Sequence, residues 1–235
     1  SATSLAYWRS EMPSHKENHY PVALEFGTGF YPISSNPYSD KLGHLQLADE
    51  FLRAGAPILQ IREKQMSDAA LIPIVRRVLR RCRNAGANLI INDRVDLVRK
   101  SGADGIHLGQ SDLSPAEARD YLGDRVIIGL STHNESQFMA AQNAPVNYVS
   151  LGPIFRTSTK SDSNPEVGLA LLRRLAPISR IPVVAIGGIR LKHAAEVWRT
   201  GAAAVAVISD ICKGPGQCNR VRSYLTQREK FNAFS

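Results

Sequence analysis

Cysteine is scarce in this sequence, which contains only Cys82, Cys212 and Cys218. An odd, low number of cysteines without a CxxC spacing argues against a disulfide framework and against a structural zinc site. No apolar run approaches the ~18 residues that a membrane-spanning helix needs, so the sequence predicts no membrane span and no membrane partner. Because reduced cysteine is typical of the cytosol, we expect a cytoplasmic protein.

The first residues also predict no secretory signal. The first 25 residues are polar, with scattered histidine, proline and charged side chains, and they lack an apolar core followed by small residues. We therefore expect residues 1–28 to form an N-terminal extension, in part disordered, ahead of one catalytic domain over residues 29–235. A chain of 235 residues is long enough for a single α/β barrel.

Basic residues outnumber acidic ones, 29 to 21, which gives a formal charge of +8. Such a charge can serve binding to a polyanion. Many of the arginines, however, cluster in helical stretches such as residues 76–83, which is typical of a solvated helix face. The sequence has no basic motif interleaved with aromatic residues and no zinc-finger spacing, so we expect no nucleic-acid partner.

From residue 29 onward one pattern repeats: a short β-branched run, a polar turn, an amphipathic stretch and a small-residue turn. The predicted strands are residues 30–33, 57–61, 88–91, 105–108, 126–129, 148–151, 183–186 and 204–208. Helices are predicted near residues 42–54, 68–85, 95–100, 115–122, 135–142, 169–178 and 192–200, and in a basic C-terminal stretch. Eight such units predict a single-domain (β/α)8 TIM barrel. An open doubly wound sheet is the alternative, weakened because no GxGxxG motif follows the first strand.

Polar residues gather where the predicted strands end, which in such a barrel is the active face. After strand two the sequence reads Gln60-Ile61-Arg62-Glu63-Lys64. With a period of two, Gln60, Arg62 and Lys64 share one face and Ile61 lies on the other. Alternating cations at this position predict an anion site, although a salt-bridged strand end remains an alternative.

Two carboxylates follow neighbouring strands. Asp93 comes directly after strand three, where it could also cap the next helix, and Asp112 follows strand four, where Ser114 already supplies a cap. Carboxylate oxygens suit Mg²⁺, which usually binds one or two carboxylates together with substrate phosphates. His107, on strand four, is interpreted as a structural residue, and Ser131 after strand five as a hydroxyl at the active face or part of a helix-entry turn.

The ends of the last three strands predict phosphate binding. Gly187 and Gly188 follow strand seven, and Ser209 opens a helix after strand eight; in this barrel class these loops often form a phosphate site. The loop after strand six, IFRTSTKSD at residues 154–162, brings four hydroxyls and two cations between this site and the carboxylates. Two separate phosphate sites, one with a metal, suggest an enzyme that joins two phosphorylated molecules.

The sequence resembles the thiamine phosphate synthase family over about residues 30–211. The motifs that carry the resemblance are QIREK (60–64), INDRVDL (91–97), ADGIHLGQSDL (103–113), IGLSTH (128–133), LGPIFRTSTK (151–160), PVVAIGGI (182–189) and AVAVISDI (204–211). The resemblance implies a reaction between a pyrimidine diphosphate and a thiazole phosphate, giving thiamine phosphate and pyrophosphate with Mg²⁺ as cofactor. The implied partners are two small phosphorylated substrates, and a homo-oligomer is compatible with the sequence.

The resemblance also implies roles for individual residues. The pyrimidine diphosphate site would contain Gln60, Ile61, Arg62, Glu63, Lys64, Asn92, Ser131 and Lys160, with Arg62, Lys64, Ser131 and Lys160 taking part in catalysis. The thiazole phosphate site would contain Thr157, Ser158, Thr159, Gly188, Ile208 and Ser209. Asp93 and Asp112 would hold the metal. Pro32, inside the first predicted strand, departs from the continuous apolar pattern expected there.

Two other functions compete with this one. A thiazole tautomerase on the same barrel would keep the phosphate site and could use His133 as an acid or base. It has no evident need for Gln60, Arg62, Lys64, Asp93, Asp112 and Lys160 together. A non-catalytic anion or RNA binder would use the net charge but leaves the two aspartates at neighbouring strand ends unexplained.

Overall fold

The computed structural model describes residues 26–36, 42–157, 165–212 and 216–233. Eight parallel strands close into a barrel in chain order, so the predicted (β/α)8 architecture is confirmed. The strands are β1 (Phe30–Ser34), β2 (Ile58–Ile61), β3 (Asn88–Asn92), β4 (Gly105–Leu108), β5 (Ile127–Thr132), β6 (Tyr148–Leu151), β7 (Val183–Ile186) and β8 (Ala204–Val207).

Helices cover the outside of the barrel. Those in the described residues are α1 (His44–Arg53), α2 (Asp68–Asn84), α3 (Val95–Ser101), α4 (Pro115–Leu122), α5 (Glu135–Ala141), α6 (Gly168–Leu175), α7 (Leu191–Trp198), α8 (Ser209–Cys212) and α9 (Gln217–Ala233), with a 3₁₀ turn at Ala176–Ile178. None of these helices has both the length and the apolarity needed to cross a membrane. The predicted start of α4 is confirmed: the Ser114 side chain accepts from Glu117 N, and the Glu117 carboxylate accepts from Ser114 N.

The strands are buried on both faces, as parallel strands between a barrel interior and a helical layer must be. Pairing of β1 with β8, with Phe30 opposite Val205, closes the sheet. Pro32 fits within β1 because the paired register with β2 starts one residue later, at Ile33 and Gln60. The missing prolyl N–H therefore lies before the hydrogen-bonded part of that ladder.

The carboxyl ends of β1 and β3 lie one residue beyond the prediction, at Ser34 and Asn92, and those of β5 and β8 differ as well. Strand β5 continues to Thr132, three residues beyond the predicted end, so Ser131 belongs to the strand itself and is 5 % exposed. Strand β8 ends at Val207, so Ile208 already lies in the loop. These differences concern the mouth of the barrel, by which we mean the rim formed by the carboxyl ends of the strands.

A buried arginine stabilises the end of the barrel opposite the mouth. Arg119 of α4 is 6 % exposed. Its guanidinium donates to the carbonyl oxygens of Gly123 at 3.0 Å, Val126 at 2.6 Å and Pro145 at 3.3 Å, and to Asn147 Oδ1 at 3.0 Å. One side chain thus joins the end of α4 to the starts of β5 and β6.

Replacing Arg119 with Ala should lower the free energy of unfolding by about 3 kcal/mol, because several buried acceptors lose their charged donor. Urea unfolding followed by circular dichroism measures the change. The matched control is Arg125→Ala, since Arg125 carries the same charge nearby but is exposed. We expect it to change stability by less than about 0.5 kcal/mol. Equal losses in both variants would mean that net charge, not hydrogen bonding, explains the effect.

Candidate active site

A chain of hydrogen bonds crosses the barrel interior below the mouth. Gln60 Nε2 donates to Tyr31 OH at 2.9 Å, the hydroxyls of Tyr31 and Tyr148 are 3.1 Å apart, and Tyr148 OH lies 2.9 Å from His107 Nδ1. His107 Nε2 lies 2.9 Å from Ser131 Oγ. We call Tyr31, Gln60, His107, Ser131 and Tyr148 the inner network. One direction of donation, from Gln60 through both tyrosines and the imidazole to Ser131, gives each of these four contacts one donor and one acceptor.

The two tyrosine side chains of the inner network are uncharged. Burial raises the pKa of both Tyr31 and Tyr148 far above the usual range. Both hydroxyls therefore remain protonated at all ordinary pH values and can act as donors as well as acceptors. The barrel interior below the mouth thus offers a neutral ligand hydrogen-bonding groups but no phenolate charge.

Sequence reasoning missed the two tyrosines of this network and Ser150, which lies 3.4 Å from both His107 Nε2 and Ser131 Oγ. They stand within apolar strand segments and look like core residues. A signal was nevertheless present: Gly129 of β5 is opposite Tyr148 of β6 in the register. A Cβ at Gly129 would overlap the Tyr148 ring, so this glycine makes room for an inward-pointing tyrosine.

A cavity opens above the inner network. Its lining comprises Tyr31, Ile33, Gln60, Arg62, Asn92, His107, Tyr148, Ser150, Val184, Ile186, Ala206 and Ile208. Gln60, Arg62, Asn92 and Ile208 are thus brought together from the predicted site residues, and Ser131 joins them through His107. Ile61 is fully buried outside this lining, and Glu63 is also absent from it. The period-two prediction for strand two therefore holds for Gln60 and Arg62.

Two carboxylates lie side by side at the mouth. Asp93 has a positive φ of 62°, and its carboxylate pairs with Lys64 Nζ and lies close enough to Asp112 to affect the pKa of that carboxyl group. Burial raises the pKa of Asp112, and the charge of Asp93 raises it further, while Gly109 N, donating to Asp112 Oδ2 at 2.7 Å, and Lys64 oppose the rise. The single cation Lys64 does not neutralise the two negative charges that this pair carries when both carboxyl groups are ionised.

This pair fits Mg²⁺, which needs hard oxygen ligands and often completes its shell with water and substrate phosphate. Within the described ranges, no group of three or more His, Cys, Asp and Glu side chains assembles that could hold an ion. The predicted ligands Asp93 and Asp112 are therefore placed together, as a two-carboxylate site that depends on other oxygens.

On the other side of the mouth, the loop after β6 packs against the loop after β7. Ile154 N donates to Ile186 O at 2.9 Å, and Phe155 N donates to Gly187 O at 3.0 Å. Gly188 has a positive φ of 64°, and a Cβ there would lie 2.7 Å from the carbonyl oxygens of Phe155 and Arg156. The glycine pair thus allows close approach of a second loop, in addition to the phosphate role predicted from sequence.

The structure describes only part of the rest of the predicted thiazole phosphate site. Thr157 ends a described segment of that second loop, and Ser209 begins α8 beside Ile208. Ser158, Thr159 and Lys160 lie outside the described residues. His133, the residue that a tautomerase could use, is absent from the cavity lining, and its Nδ1 lies 2.6 Å from Gly152 O.

A closed parallel barrel with a cavity, a carboxylate pair and a cation at its carboxyl-terminal mouth has the architecture of a (β/α)8 enzyme. Residues 30–211 match the family model described as thiamine monophosphate synthase, and the chain belongs to this family. It is a transferase of the thiamine-phosphate synthase class.

Relatives agree with this assignment. The chain is 37 % identical over 187 residues to the thiamine-phosphate synthase of Methanospirillum hungatei, covering 80 % of this chain and 91 % of that protein. It is 35 % identical over 201 residues to that of Azorhizobium caulinodans, covering 86 % and 95 %. The solved structure of a thiamine phosphate pyrophosphorylase from Pyrococcus furiosus superposes with a TM-score of 0.80 at 26 % identity, covering 88 % of this chain and 98 % of that one.

The carboxylate pair should cost stability when no cation is bound. Because the pKa of Asp112 is raised on folding, its stabilising contribution is present at low pH and is lost as pH rises through the folded pKa. Asp112→Asn should therefore raise the melting temperature of metal-free protein near neutral pH, with a difference that shrinks below about pH 4. Mg²⁺ should stabilise wild type more than the variant.

Thermal unfolding in EDTA and in Mg²⁺, from pH 3 to pH 8, measures both effects. Asp124→Asn serves as the control, because Asp124 is an exposed carboxylate close by in sequence. A melting temperature for metal-free Asp112→Asn at or below that of wild type at pH 8 would contradict the inferred repulsion.

Proposed function

We propose that this protein joins the diphosphate of 4-amino-5-hydroxymethyl-2-methylpyrimidine to 4-methyl-5-(2-hydroxyethyl)thiazole phosphate, giving thiamine phosphate and pyrophosphate with the help of Mg²⁺. The observation that carries the proposal is the arrangement at the mouth. A carboxylate pair with Lys64 lies on the rim, and a cavity that Arg62 and Asn92 line leads down to the inner network. A neutral ring with an anionic tail matches this order of polar and charged groups.

The pyrimidine ring would enter the cavity above the inner network. There Gln60, His107 and the two protonated tyrosines would present hydrogen-bonding groups to ring nitrogens and to an amino group. The diphosphate would extend toward the rim, where Arg62 and Asn92 line the cavity wall. Arg62 is suited to this role because its guanidinium can donate two parallel hydrogen bonds to a phosphate.

Asp93 and Asp112 would hold Mg²⁺, with diphosphate oxygens completing the shell. Bound there, Mg²⁺ would neutralise negative charge on the diphosphate. Lys64 pairs with Asp93 and is exposed at the rim. Its ammonium could therefore exchange Asp93 for a substrate phosphate. Lys160 would approach the same group from the loop after β6.

The chemistry requires charge stabilisation more than proton transfer. Diphosphate leaves the methylene carbon attached to the pyrimidine ring, the amino group of the ring stabilises the resulting cation, and the thiazole nitrogen attacks that carbon. Arg62, Lys64 and Lys160 would stabilise charge that grows on the departing oxygens, which is usually a large part of catalysis. The thiazole nitrogen is already nucleophilic, so no general base is needed.

The second substrate would bind beside β7 and β8. Its phosphate would lie among the backbone at Gly188, Ile208 and Ser209 and the hydroxyls of Thr157, Ser158 and Thr159. The close packing of the β6 loop on Gly187 and Gly188 supports this part of the proposal, because it holds both phosphate-binding segments in one place. Attack would then take place between the two sides of the mouth.

Incubating the pure protein with both substrates and Mg²⁺, then oxidising the product to its fluorescent thiochrome derivative, tests the reaction. We expect product with Mg²⁺ and none with EDTA, and activity should return when Mg²⁺ is added in excess. Full activity in EDTA would overturn the metal assignment. Folded protein that forms no thiamine phosphate but isomerises the thiazole carboxylate phosphate would overturn the synthase proposal in favour of the tautomerase.

Lys160→Ala should lower kcat roughly 100-fold, because one charge-stabilising donor to the leaving group is lost. The KM for the thiazole phosphate should change little. Steady-state kinetics with each substrate varied in turn measures both parameters. Lys100→Ala is the control, since Lys100 is exposed at the end of α3, away from the mouth. Wild-type kcat in Lys160→Ala would remove that residue from the mechanism.

A further inference from the structure

On the side of β2 that faces away from the cavity, a buried polar cluster joins β1, α1 and the segment after β2. It consists of Ser34, Asn36, His44 and Glu63. The exposures of Ser34, His44 and Glu63 are 0 %, 1 % and 3 %. A buried carboxylate and imidazole are costly unless fully hydrogen-bonded, so the contacts of this cluster should each matter.

Glu63 is fully engaged inside the protein. Its Oε1 accepts from Gln65 N at 2.7 Å and from Met66 N at 3.3 Å. Its Oε2 accepts from Asn36 Nδ2 at 2.9 Å and from His44 Nε2 at 2.9 Å. These backbone donors and His44 lower the pKa of Glu63 against the opposing effect of burial, and the carboxylate stays charged. A buried anion with four donors is unsuited to binding a diphosphate, which has the same sign of charge.

His44 links Glu63 to the first strand. A carboxylate only accepts hydrogen bonds, so Nε2 of His44 carries the proton in the contact with Glu63. Burial lowers the pKa of His44, which keeps the ring neutral and leaves Nδ1 as an acceptor 2.9 Å from Ser34 Oγ. The carbonyl of Ser34 in turn accepts from Arg62 N at 2.9 Å. Ser34 therefore holds the segment after β2 both directly and through His44.

The direction of Glu63 determines the direction of its neighbours. Successive side chains of an extended segment point to opposite sides. With Glu63 fixed toward α1, Arg62 is turned to the cavity that it lines, and Lys64 is turned to the rim, where it pairs with Asp93. Glu63 thus acts on the mouth through the two cations beside it.

We propose that His44 and Glu63 are positioning residues that aim Arg62 and Lys64 at the diphosphate. This inference rests on the proposed function and changes the role of Glu63, which the family resemblance places among the substrate-binding residues. Ser34 and Asn36 support the pair by occupying the remaining hydrogen-bonding atoms of His44 and Glu63.

Three variants and one control test the proposal. His44→Leu removes the donor to Glu63, Glu63→Gln places an amide where only acceptors fit, and His44→Gln keeps a donor near the position of Nε2. Cys82→Ala is the control: Cys82 is fully buried in α2, near the end of that helix remote from the mouth, so its loss lowers stability without reaching Glu63. Unfolding curves for all four separate stability from positioning.

In His44→Leu and Glu63→Gln we expect the KM for the pyrimidine diphosphate to rise about tenfold or more, the usual effect of losing a group that orients a ligand-binding residue. The KM for the thiazole phosphate should stay within about twofold, and His44→Gln should recover most of the loss. The double variant His44→Leu with Glu63→Gln should be no worse than the stronger single variant, because both act through one contact. A loss in Glu63→Gln alone, with His44→Leu like wild type, would overturn the proposal.

A second measurement keeps this inference separate from the proposed reaction. Calorimetric titration with magnesium pyrophosphate reports the diphosphate site directly, and amide hydrogen exchange at Gln65 and Met66 reports whether Glu63 still holds the segment. Weaker binding and faster exchange in His44→Leu, with no thiamine phosphate made by wild type, would reject the reaction and retain the positioning role. Unchanged binding and unchanged exchange in both variants would reject the positioning role even if wild type is an active synthase.

Discussion

Closure of the parallel sheet by β1 and β8 is the constraint on which the site depends. In a closed parallel barrel all strands end on one rim, so polar residues that follow each strand must converge there. Asp93 and Asp112 are separated in the chain by a whole helix–strand unit, yet the charge of Asp93 raises the pKa of Asp112. The same geometry brings the loop after β6 against the loop after β7. No long-range contact has to be specified separately once the sheet is closed.

The interior tyrosines and the ionisable groups of the rim lie at different depths in the barrel. In the interior, burial suppresses ionisation of Tyr31 and Tyr148, and the members of the inner network hydrogen-bond to one another. Above this network, Asp93, Asp112 and Lys64 bring charge to the rim, where water limits the cost of a carboxylate or an ammonium. Lys64, half exposed, partly compensates two acidic groups there. Such layering favours a ligand whose uncharged ring points inward and whose charged tail stays near solvent.

The sequence made the barrel and the rim predictable because both follow simple rules. Strand spacing and helix starts revealed the repeats, and polar residues after apolar runs marked the mouth. The inner network was not predicted because Tyr31 and Tyr148 lie in strand segments whose sequence pattern is typical of a hydrophobic core. Only the register, which sets Gly129 opposite Tyr148, reveals that a ring points inward. The length of β5 was also underestimated, since Ser131 and Thr132 are polar yet belong to a buried strand.

The stretch from Gln60 to Lys64 shows why a motif does not by itself assign roles. Gln60 belongs to the inner network, Ile61 packs among buried apolar side chains, and Arg62 lines the cavity. Glu63 turns to α1, and Lys64 turns to the rim. Alternation along an extended chain sends neighbouring residues to opposite sides, so residues next to each other in a motif face different surroundings. A glutamate between two cations looks like part of an anion site in the sequence, whereas its burial against His44 makes it part of the frame that holds that site.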